Sequence, residues 1–486
     1  LSLGEAADAN LAIIPHPGSP SSKLLLVMGN NGAELNAAAR ALALGHNALS
    51  GNRVVISALQ EPEARKPYDA PKWLPTDRAV ELGELAAASD FTVKGLYPEP
   101  IRVNFRMAPD LFTWRHEGIP MNLKYRYIPN VAKTSTLNVN VNDEFVEAIS
   151  LAKVSTENEN PNDIKLPFIE SEASVDEKEV LIPDYKLGAS NQLQFHYFFE
   201  RKKEGPCSDL VENFEGAVDE DSTIDLSDFP HYAEMPQLNY FATAGYPFTR
   251  LADLSETVVV LPERLGPGEI GTYLIIMGRF GASTGYPGIR VKLARASEIS
   301  SYSGHDVLVL GGADNQPLLQ EWANDMPMSM EGDQPRLKVV GPFQRLRARW
   351  EGRDIDKAID HAGNLLLDSN DGLASMMSFE SPLDSNRTVV VLTASSGERM
   401  EELADLLQEP GKSDFINNDL VLLNGAELNH YRLGGTYWVG NLPLIDRLYW
   451  FFSNQPLIML LLALFVCILL AIVIYRGLRA LAATRK

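Results

Sequence analysis

Hydrophobic and polar positions follow different patterns in different parts of the chain. Near the N-terminus, an apolar run at 23–28 is followed by a turn, an Ala/Leu-rich segment at 33–44 and a second apolar run at 53–57. Short apolar runs are typical of buried strands, and the Ala/Leu-rich segment favours a helix. This order predicts a β-α-β unit with parallel strands.

A similar order of elements returns late in the chain, at a constant offset of 365 positions. The aligned residues include Pro17 with Pro382, Gly32 with Gly397, Ala39 with Ala404, and Leu42 with Leu407. The match predicts that 9–42 is a copy of 374–407, with chance similarity between two α/β segments as the alternative. More α/β sequence precedes the later copy. We therefore expect 1–90 to be a partial α/β module whose N-terminal part is missing, and 251–440 to be a second α/β module.

The middle of the chain, 91–250, alternates apolar and polar residues with a period of two. The clearest examples are Ile101–Phe105, Leu137–Val141 and Leu193–Tyr197. Half-buried antiparallel strands have this period. Many short strands separated by turns predict a β-sandwich, which we interpret as a carbohydrate-binding-like jelly roll.

The run Leu457–Ile474 contains no charge, glycine or proline. About 20 apolar residues are needed for a helix to cross the ~30 Å hydrocarbon layer. The sequence therefore predicts one transmembrane helix over 456–476, with a buried core helix as the alternative. The fold class is mixed α/β and all-β multidomain: flavodoxin- or ferredoxin-like α/β modules flank a β-sandwich jelly roll, and a single C-terminal transmembrane helix follows.

Charges beside the apolar run predict its orientation. The tail at 477–486 and the residue at the end of the run supply four cations, which are Arg476, Arg479, Arg485 and Lys486. Positive flanks stay on the cytoplasmic side of a membrane. We therefore expect a single-pass protein of the bacterial inner membrane with a cytoplasmic C-terminus and its bulk in the periplasm.

A short amphipathic segment at 441–455 precedes the span. Leu444, Leu448 and Phe451 share one helical face, and Trp450 lies beside them. Aromatic and aliphatic residues at this position predict a helix lying in the membrane interface. An aromatic extension of the span itself is the alternative.

Small residues recur every four positions within the span, at Ala463, Cys467 and Ala471. This spacing places them on one stripe, where a second membrane helix can approach closely. Chance is the alternative, because alanine is common in membrane helices. Together with the amphipathic segment, the stripe is the predicted membrane anchor and partner interface.

Composition and charge narrow the function. The chain is 45% hydrophobic and 22% charged, as in ordinary folded proteins, and its net charge of −21 disfavours nucleic acid as a ligand. The segment Gly266–Gly271 fits the G-x-G-x-x-G pattern, but the required preceding strand and later acidic residue are missing. The histidines show no metal-binding spacing. We predict no catalytic residue, no cofactor and no metal.

Three stretches carry a family resemblance: Ala244–Arg250, Asp253–Glu263 and Met277–Pro287. They resemble the periplasmic regulatory B subunit of bacterial cellulose synthase, the so-called cyclic di-GMP-binding protein family. The resemblance implies a non-catalytic subunit, required by the membrane-bound catalytic glucosyltransferase, that guides the secreted β-1,4-glucan across the periplasm. It implies three partners: the catalytic subunit, the glucan and the lipid bilayer. Self-association stays open.

The resemblance also directs attention to aromatic residues of the sandwich. Phe112, Trp114, Tyr125 and Tyr127 are the candidates for glucan contact, with core packing as the alternative. Two other functions stay open as well, a membrane-tethered periplasmic glycan-active enzyme and a generic periplasmic adaptor.

The family name raises the question of a cyclic di-GMP site. Arg345 and Arg349 fit the R-x-x-x-R half of the receptor pattern seen in the catalytic partner. The D/N-x-S-x-x-G half does not follow, and the predicted topology places both arginines outside the cytoplasm. We therefore expect regulation to reach this chain through its partner.

Overall fold

The computed structural model describes most of the chain. The described ranges are 8–45, 49–57, 62–127, 134–151, 174–200, 214–331, 334–338, 341–350, 352–367, 372–409, 411–425, 427–454 and 456–483. The predicted tail residues Arg485 and Lys486 lie outside these ranges.

The first α/β unit is built from β1 (Asn10–His16), β2 (Ser19–Met28), α1 (Gly32–Leu44) and β3 (Arg53–Val55). Its sheet has the order β2-β1-β3, and β1 is antiparallel to both neighbours. The two strands of the predicted β-α-β unit, β2 and β3, are therefore parallel as expected, but they do not pair directly with each other. The apolar residues that precede the predicted unit form β1, which inserts between the two parallel strands and gives a split β-α-β unit.

The sandwich follows as two antiparallel sheets. Its strands are β4 (Ala79–Glu81), β5 (Thr92–Lys94), β6 (Ile101–Arg106), β7 (Ile119–Tyr127), β8 (Thr136–Val141), β9 (Glu144–Ser150), β10 (Ser174–Ile182), β11 (Ser190–Phe198), β12 (Glu215–Val218) and β13 (Thr223–Asp225). The front sheet has the order β6-β11-β8-β9, and the back sheet has the order β4-β13-β7-β12-β5 with β10 also paired to β7. Because β4 pairs with β13, the sandwich begins before the predicted boundary at 90/91.

Alternation explains the core of the sandwich. In β11, Leu193, Phe195 and Tyr197 point inward and are buried, while Gln194 and His196 point to the other face, where Gln194 is covered by neighbouring side chains and His196 is partly exposed. The inward residues of both sheets form one continuous hydrophobic core. A period of two with one buried face is the pattern expected of such a sheet.

The larger α/β module contains α2 (Leu238–Ala244), β15 (Thr257–Val260), α3 (Pro267–Thr284), β16 (Lys292–Ala294), β17 (Asp306–Leu310), α4 (Leu318–Glu321), β18 (Met328–Glu331), β19 (Gln334–Leu337), α5 (Pro342–Trp350), α6 (Ile355–Leu367), β20 (Leu373–Glu380), β21 (Thr388–Ala394), α7 (Gly397–Gln408), β22 (Leu420–Asn424) and β23 (Glu427–Tyr431); β14 (Tyr232–Met235) precedes it. Its main sheet has the order β16-β15-β17-β21-β20-β22-β23. The strands from β16 to β21 are parallel, and the rest are antiparallel. Helices cover both faces, which explains why β15 and β17 are buried throughout.

The two α/β regions share one arrangement at the offset of 365. In the larger module β20 lies between β21 and β22 and is antiparallel to both, as β1 is to β2 and β3. Asn31 and Ser396 cap the equivalent helices, and each side chain accepts from the N–H three residues later. Their surroundings differ: Leu35 and Leu42 are 46% and 37% exposed, whereas their counterparts Met400 and Leu407 are buried in the core shared by α3 and α7.

The C-terminal region consists of β24 (Tyr437–Gly440), α8 (Leu444–Asn454) and α9 (Pro456–Ala483). β24 pairs with β14 as an antiparallel ribbon outside the main sheet. The chain therefore leaves the α/β module beside the end of the sandwich and passes directly into the two terminal helices.

Candidate membrane-anchoring site

The last helix has the properties of a membrane span. Within the described part of the chain, α9 is the one helix long and apolar enough, with mean hydropathy 2.8 over Met459–Ala480 and no part of that stretch buried. The helix continues past the predicted end at residue 476 to Ala483, so Arg476 and Arg479 are helical. Ala463, Cys467 and Ala471 are exposed on it.

The preceding helix, α8, presents an apolar outer face. Leu444 is 77% exposed, Leu448 57% and Phe451 45%, as predicted for a face that meets lipid. Trp450 behaves differently, because it is two residues from Leu448 and therefore about 200° further round the helix. It turns toward the protein and is half-buried, so within the predicted anchor and partner interface it differs from the exposed face beside it.

Trp450 enters a cluster of rings that we call the aromatic box, formed by Phe112, Tyr232, Trp438 and Trp450. The rings of Trp438 and Trp450 lie 4.4 Å apart in an edge-on arrangement, and Tyr232 stacks on Trp438 at 4.7 Å. Phe112 meets Tyr232 edge-on at 5.6 Å and Trp450 at 6.4 Å. These are the favourable geometries for aromatic pairs, each contributing about 0.5–1.5 kcal/mol beyond the area buried.

The strand ribbon creates the box. Tyr232 is opposite Gly440, so no side chain separates its ring from Trp438, its diagonal neighbour. Gly440 has φ +92°, and a Cβ there would collide with the carbonyl of His231. The glycine is therefore required both by its backbone conformation and by its close neighbour.

Backbone hydrogen bonds join the sandwich to this ribbon. The Tyr232 N–H donates to the Asp110 carbonyl at 2.8 Å, and the Phe112 N–H donates to the Pro230 carbonyl at 2.8 Å. The Asn441 N–H donates to the His231 carbonyl at 2.9 Å. The loop that carries Phe112, the ribbon and the segment leading into α8 are thus tied together.

A buried polar network lies behind the box. The fully buried Asp110 carboxylate accepts from the Tyr68 hydroxyl at 2.6 Å and from His231 Nδ1 at 3.0 Å. His231 Nε2 is then left to accept from the Thr76 hydroxyl at 3.0 Å. The Tyr68 ring also stacks on the imidazole at 3.4 Å. Burial, and then the charge of Asp110, raise the pKa of Tyr68, so the phenol keeps the proton it donates.

Two arginines cover the edges of the box. The Arg115 guanidinium lies 5.4 Å from the ring centre of Trp114 and 5.2 Å from that of Tyr449 on α8. The Arg447 guanidinium lies 5.7 Å from the ring centre of Tyr232. Cation–π contacts of this kind contribute about 0.5–1 kcal/mol at exposed sites. They add to the docking of α8 on the domains that precede it in the chain.

The structure corrects the predicted glucan contacts. Tyr125 and Tyr127 are 5% and 2% exposed within the sandwich core, so core packing accounts for them. Phe112 is part of the aromatic box, and Trp114 packs against Phe112 and Arg115 beside α8. All four rings are therefore engaged within the protein.

Several residues of the site escaped sequence reasoning. Tyr232, Trp438, Asp110 and His231 come from distant segments, and no local pattern connects them. The available signals were Gly440 beside two aromatic residues and the charged Asp110 within an apolar stretch. Neither signal identifies its partner.

With this geometry described, comparison with known proteins identifies the class. Three models of cellulose synthase BcsB match: the first FD domain at 1–56, the second CBM domain at 79–223 and the second FD domain at 231–392. The chain belongs to the BcsB family of cellulose synthase proteins. The resemblance predicted from the sequence is confirmed.

Individual relatives agree with the family models. The chain is 37% identical to the cyclic di-GMP-binding protein of Pseudomonas fluorescens (strain SBW25), covering 100% of this chain and 64% of the relative. It is 31% identical to the protein of that name from Escherichia coli (strain K12), covering 98% and 61%. It is 32% identical to cellulose synthase 2 of Novacetimonas hansenii, covering 98% and 30%. The chain thus spans less than two thirds of the length of each of these relatives.

Proposed function

We propose that this protein is a non-catalytic, membrane-anchored subunit of cellulose synthase that binds the catalytic glucosyltransferase and guides the secreted β-1,4-glucan across the periplasm. The observation that carries the proposal is the aromatic box. It joins the sandwich, the α/β module and α8 at one point, directly before the span. An outer body held in this way keeps a fixed position over a partner in the membrane.

The anchoring role rests on two exposed apolar surfaces. The face of α8 formed by Leu444, Leu448 and Phe451 suits the headgroup boundary of a bilayer, and α9 suits its hydrocarbon interior. Four cations at the C-terminal end of the span support a cytoplasmic position for that end and a periplasmic position for the acidic bulk.

The catalytic partner is proposed on two grounds. In Novacetimonas hansenii the segment similar to this chain is only 30% of a longer protein named cellulose synthase 2. The name of that relative supports a cellulose-synthesising partner for the segment that it shares with this chain. The stripe Ala463, Cys467 and Ala471 offers a surface on α9 where a helix of that partner can pack closely.

Cyclic di-GMP is assigned to the partner rather than to this chain. Arg345 lies 3.4 Å from the carboxylate of Asp356, so its charge already faces an acid. On the proposed topology, both Arg345 and Arg349 are in the periplasm, away from a cytoplasmic nucleotide.

The experiment is affinity purification of the tagged chain from membranes in mild detergent. We expect the membrane glucosyltransferase to co-purify with the wild-type chain, and deletion of 441–486 to remove it. Cellulose synthesis in cells should stop with the deletion. Normal synthesis by cells carrying the truncated chain would contradict the anchoring role.

A second function is favoured by one observation. The Thr76 hydroxyl, the His231 imidazole and the Asp110 carboxylate have the order of a nucleophile, base and orienting acid. Such a group would hydrolyse an ester on an acylated glycan. Ester hydrolysis by the purified chain that is lost in Thr76→Val would establish this enzyme. Equal turnover by wild type and Thr76→Val would mean that the network has a structural role only.

A generic periplasmic adaptor is the remaining alternative. It differs from the proposed subunit in having no affinity for glucan. A purified chain that co-purifies with the glucosyltransferase but retains no cello-oligosaccharide would favour the adaptor.

A further inference from the structure

The outward face of the front sheet differs from an ordinary solvated sheet face. Alternation along β8 and β11 points a neutral amide or a ring outward at most positions, whereas β6 points Arg102, Asn104 and Arg106 outward. The amide-bearing residues are Asn104, Asn138, Asn140, Gln192 and Gln194. Surface strands more often carry charged residues at such positions, so this composition calls for a physical reason.

Register brings these side chains together. Gln192 is opposite Asn104, and Gln194 is opposite Asn140. The Gln192 amide donates to Asn104 Oδ1 at 2.8 Å, and the Gln194 amide donates to Gln192 Oε1 at 2.8 Å. The hydrogen-bonded amides thus join β6 and β11, and the Asn138 and Asn140 amides of β8 lie on the next strand, about 4.8 Å away.

Two acceptors in this face have no protein partner. Asn138 Oδ1 and Asn140 Oδ1 are buried and make no hydrogen bond to any described residue. A buried polar atom without a partner costs about 1–3 kcal/mol. Such atoms are retained at sites where something else supplies the donor.

Two exposed rings flank the amides. Phe145 is 53% exposed and lies opposite Asn140, and Phe198 is 51% exposed and lies opposite Thr136. His196 is next to Phe198 on the outward face, with the two rings stacked at 6.0 Å. Burial and then the charge of Arg102 lower the pKa of His196, which favours the neutral imidazole, able both to donate and to accept.

The back sheet provides a control within the same domain. Its outward face pairs Lys124 with Asp221 at 2.6 Å and Arg126 with Asp219. It also holds a buried unpartnered oxygen, Asn122 Oδ1, but the nitrogen of that amide already donates to Glu177 at 2.5 Å. Ion pairs thus join the outward residues of this face, and its described part holds one unpartnered amide oxygen against two on the front sheet.

We propose that the outward face of the front sheet binds β-1,4-glucan through the Asn138 and Asn140 amides, with Phe145 and Phe198 stacking on the sugar rings. A glucan has hydroxyls at the ring edges, which both donate and accept, and apolar C–H surfaces on the ring faces. Neutral amides can hydrogen-bond to the hydroxyls without needing a counterion, and flat aromatic rings can stack on the apolar C–H surfaces. The match of 79–223 to a CBM model of the family agrees with this ligand class. The proposal rests on the proposed function and names the surface that would carry its glucan contact.

The test is isothermal titration of the full-length chain in detergent with cellohexaose. We expect the double variant Asn138→Val/Asn140→Val to bind about tenfold or more weakly than wild type, because two hydrogen bonds are lost. Valine suits a strand, and thermal unfolding of the variant reports whether the fold is kept. Phe198→Ala is the second variant, and it should weaken binding without altering any amide.

Two controls make the result specific. Lys124→Ala/Asp221→Ala on the back sheet should bind cellohexaose as wild type does. Maltohexaose, with α-1,4 links, should bind at least tenfold more weakly to wild type. Unchanged affinity in the folded Asn138→Val/Asn140→Val variant, equal affinity for maltohexaose, or no binding of cellohexaose by wild type would overturn the proposal.

The same variant separates this inference from the proposed function. Loss of cellohexaose binding with retained co-purification of the glucosyltransferase would support the glucan face. If the wild-type chain binds cellohexaose but does not co-purify with the glucosyltransferase, the subunit role is overturned. The proposed glucan binding by the front sheet would then still be supported.

Discussion

Two exposed surfaces of this molecule carry aromatic rings, but the neighbours of those rings differ. On α8, Phe451 is surrounded by exposed aliphatic residues such as Leu444 and Leu448. On the front sheet, Phe145 lies opposite Asn140 and Phe198 lies diagonally from Asn138, and both amides have an unsatisfied acceptor. Aliphatic neighbours suit lipid, whereas amide neighbours suit a polymer with hydroxyls. The polar atoms around an exposed ring therefore indicate its partner better than the ring does.

The largest expected effect comes from removing the lipid-facing surface. Deletion of 441–486 takes away α8 and the span, so the chain should move from the membrane fraction to the soluble fraction on alkaline extraction. Fractionation followed by immunoblotting measures this change. The Asn138→Val/Asn140→Val variant is the matched control, and it should stay entirely in the membrane. A truncated chain that remains membrane-bound would contradict the assignment of α8 and the span as the surface that meets lipid.

The next effect concerns the coupling between α8 and the outer body. Trp450→Ala removes a half-buried ring from the aromatic box, and we expect the docking of α8 to lose about 2 kcal/mol. Limited proteolysis around 441–455 should become several-fold faster. Phe451→Ala, about 100° round α8 from Trp450 and on the exposed apolar face, should leave the cleavage rate unchanged. Equal rates in both variants would show that the box does not hold the helix.

The polar network behind the box should matter to a similar degree. Asp110→Ala leaves the Tyr68 hydroxyl and His231 Nδ1 without their acceptor, so the free energy of unfolding should fall by about 2–3 kcal/mol. Chemical denaturation measures the loss. Asp221→Ala, which breaks an exposed ion pair, should cost less than ~1 kcal/mol. Similar losses for the two variants would mean that the network adds nothing to stability.

The smallest effect is expected at the stripe on α9. Ala463→Phe adds bulk where a partner helix would approach, and the amount of co-purified glucosyltransferase should fall several-fold. Leu464→Phe, one residue away on a different side of the helix, should retain the wild-type amount. Unchanged recovery of the glucosyltransferase with Ala463→Phe would mean that the spacing of small residues on α9 is a matter of chance.

Sequence patterns predicted those strands and helices in which the spacing of apolar residues follows from the side of the element that is buried. The alternation at 193–197 matches buried Leu193, Phe195 and Tyr197 in β11, and the unbroken apolar run matches α9. The offset of 365 correctly paired β1 with β20 and α1 with α7. These signals are local, because each position is apolar or polar according to the side of the strand or helix on which it lies.

The remaining features depend on contacts between distant segments. The apolar pattern shows which face of a strand is buried but not which strands pair. It therefore did not predict that β1 lies between β2 and β3. The aromatic box joins Phe112, Tyr232, Trp438 and Trp450 across more than three hundred positions. Tyr125 and Tyr127 looked like available rings in sequence, but their strand directs them inward. One signal for the glucan face was present and overlooked: the outward positions of 137–141 are amides rather than charges.

The subunit role is tested directly by affinity purification of the tagged 486-residue chain from native membranes, with mass spectrometry of the retained proteins. We predict that the membrane glucosyltransferase is retained in a fixed ratio to this chain, and that free cellohexaose does not release it. A chain that emerges from membranes without a glucosyltransferase would contradict the subunit role.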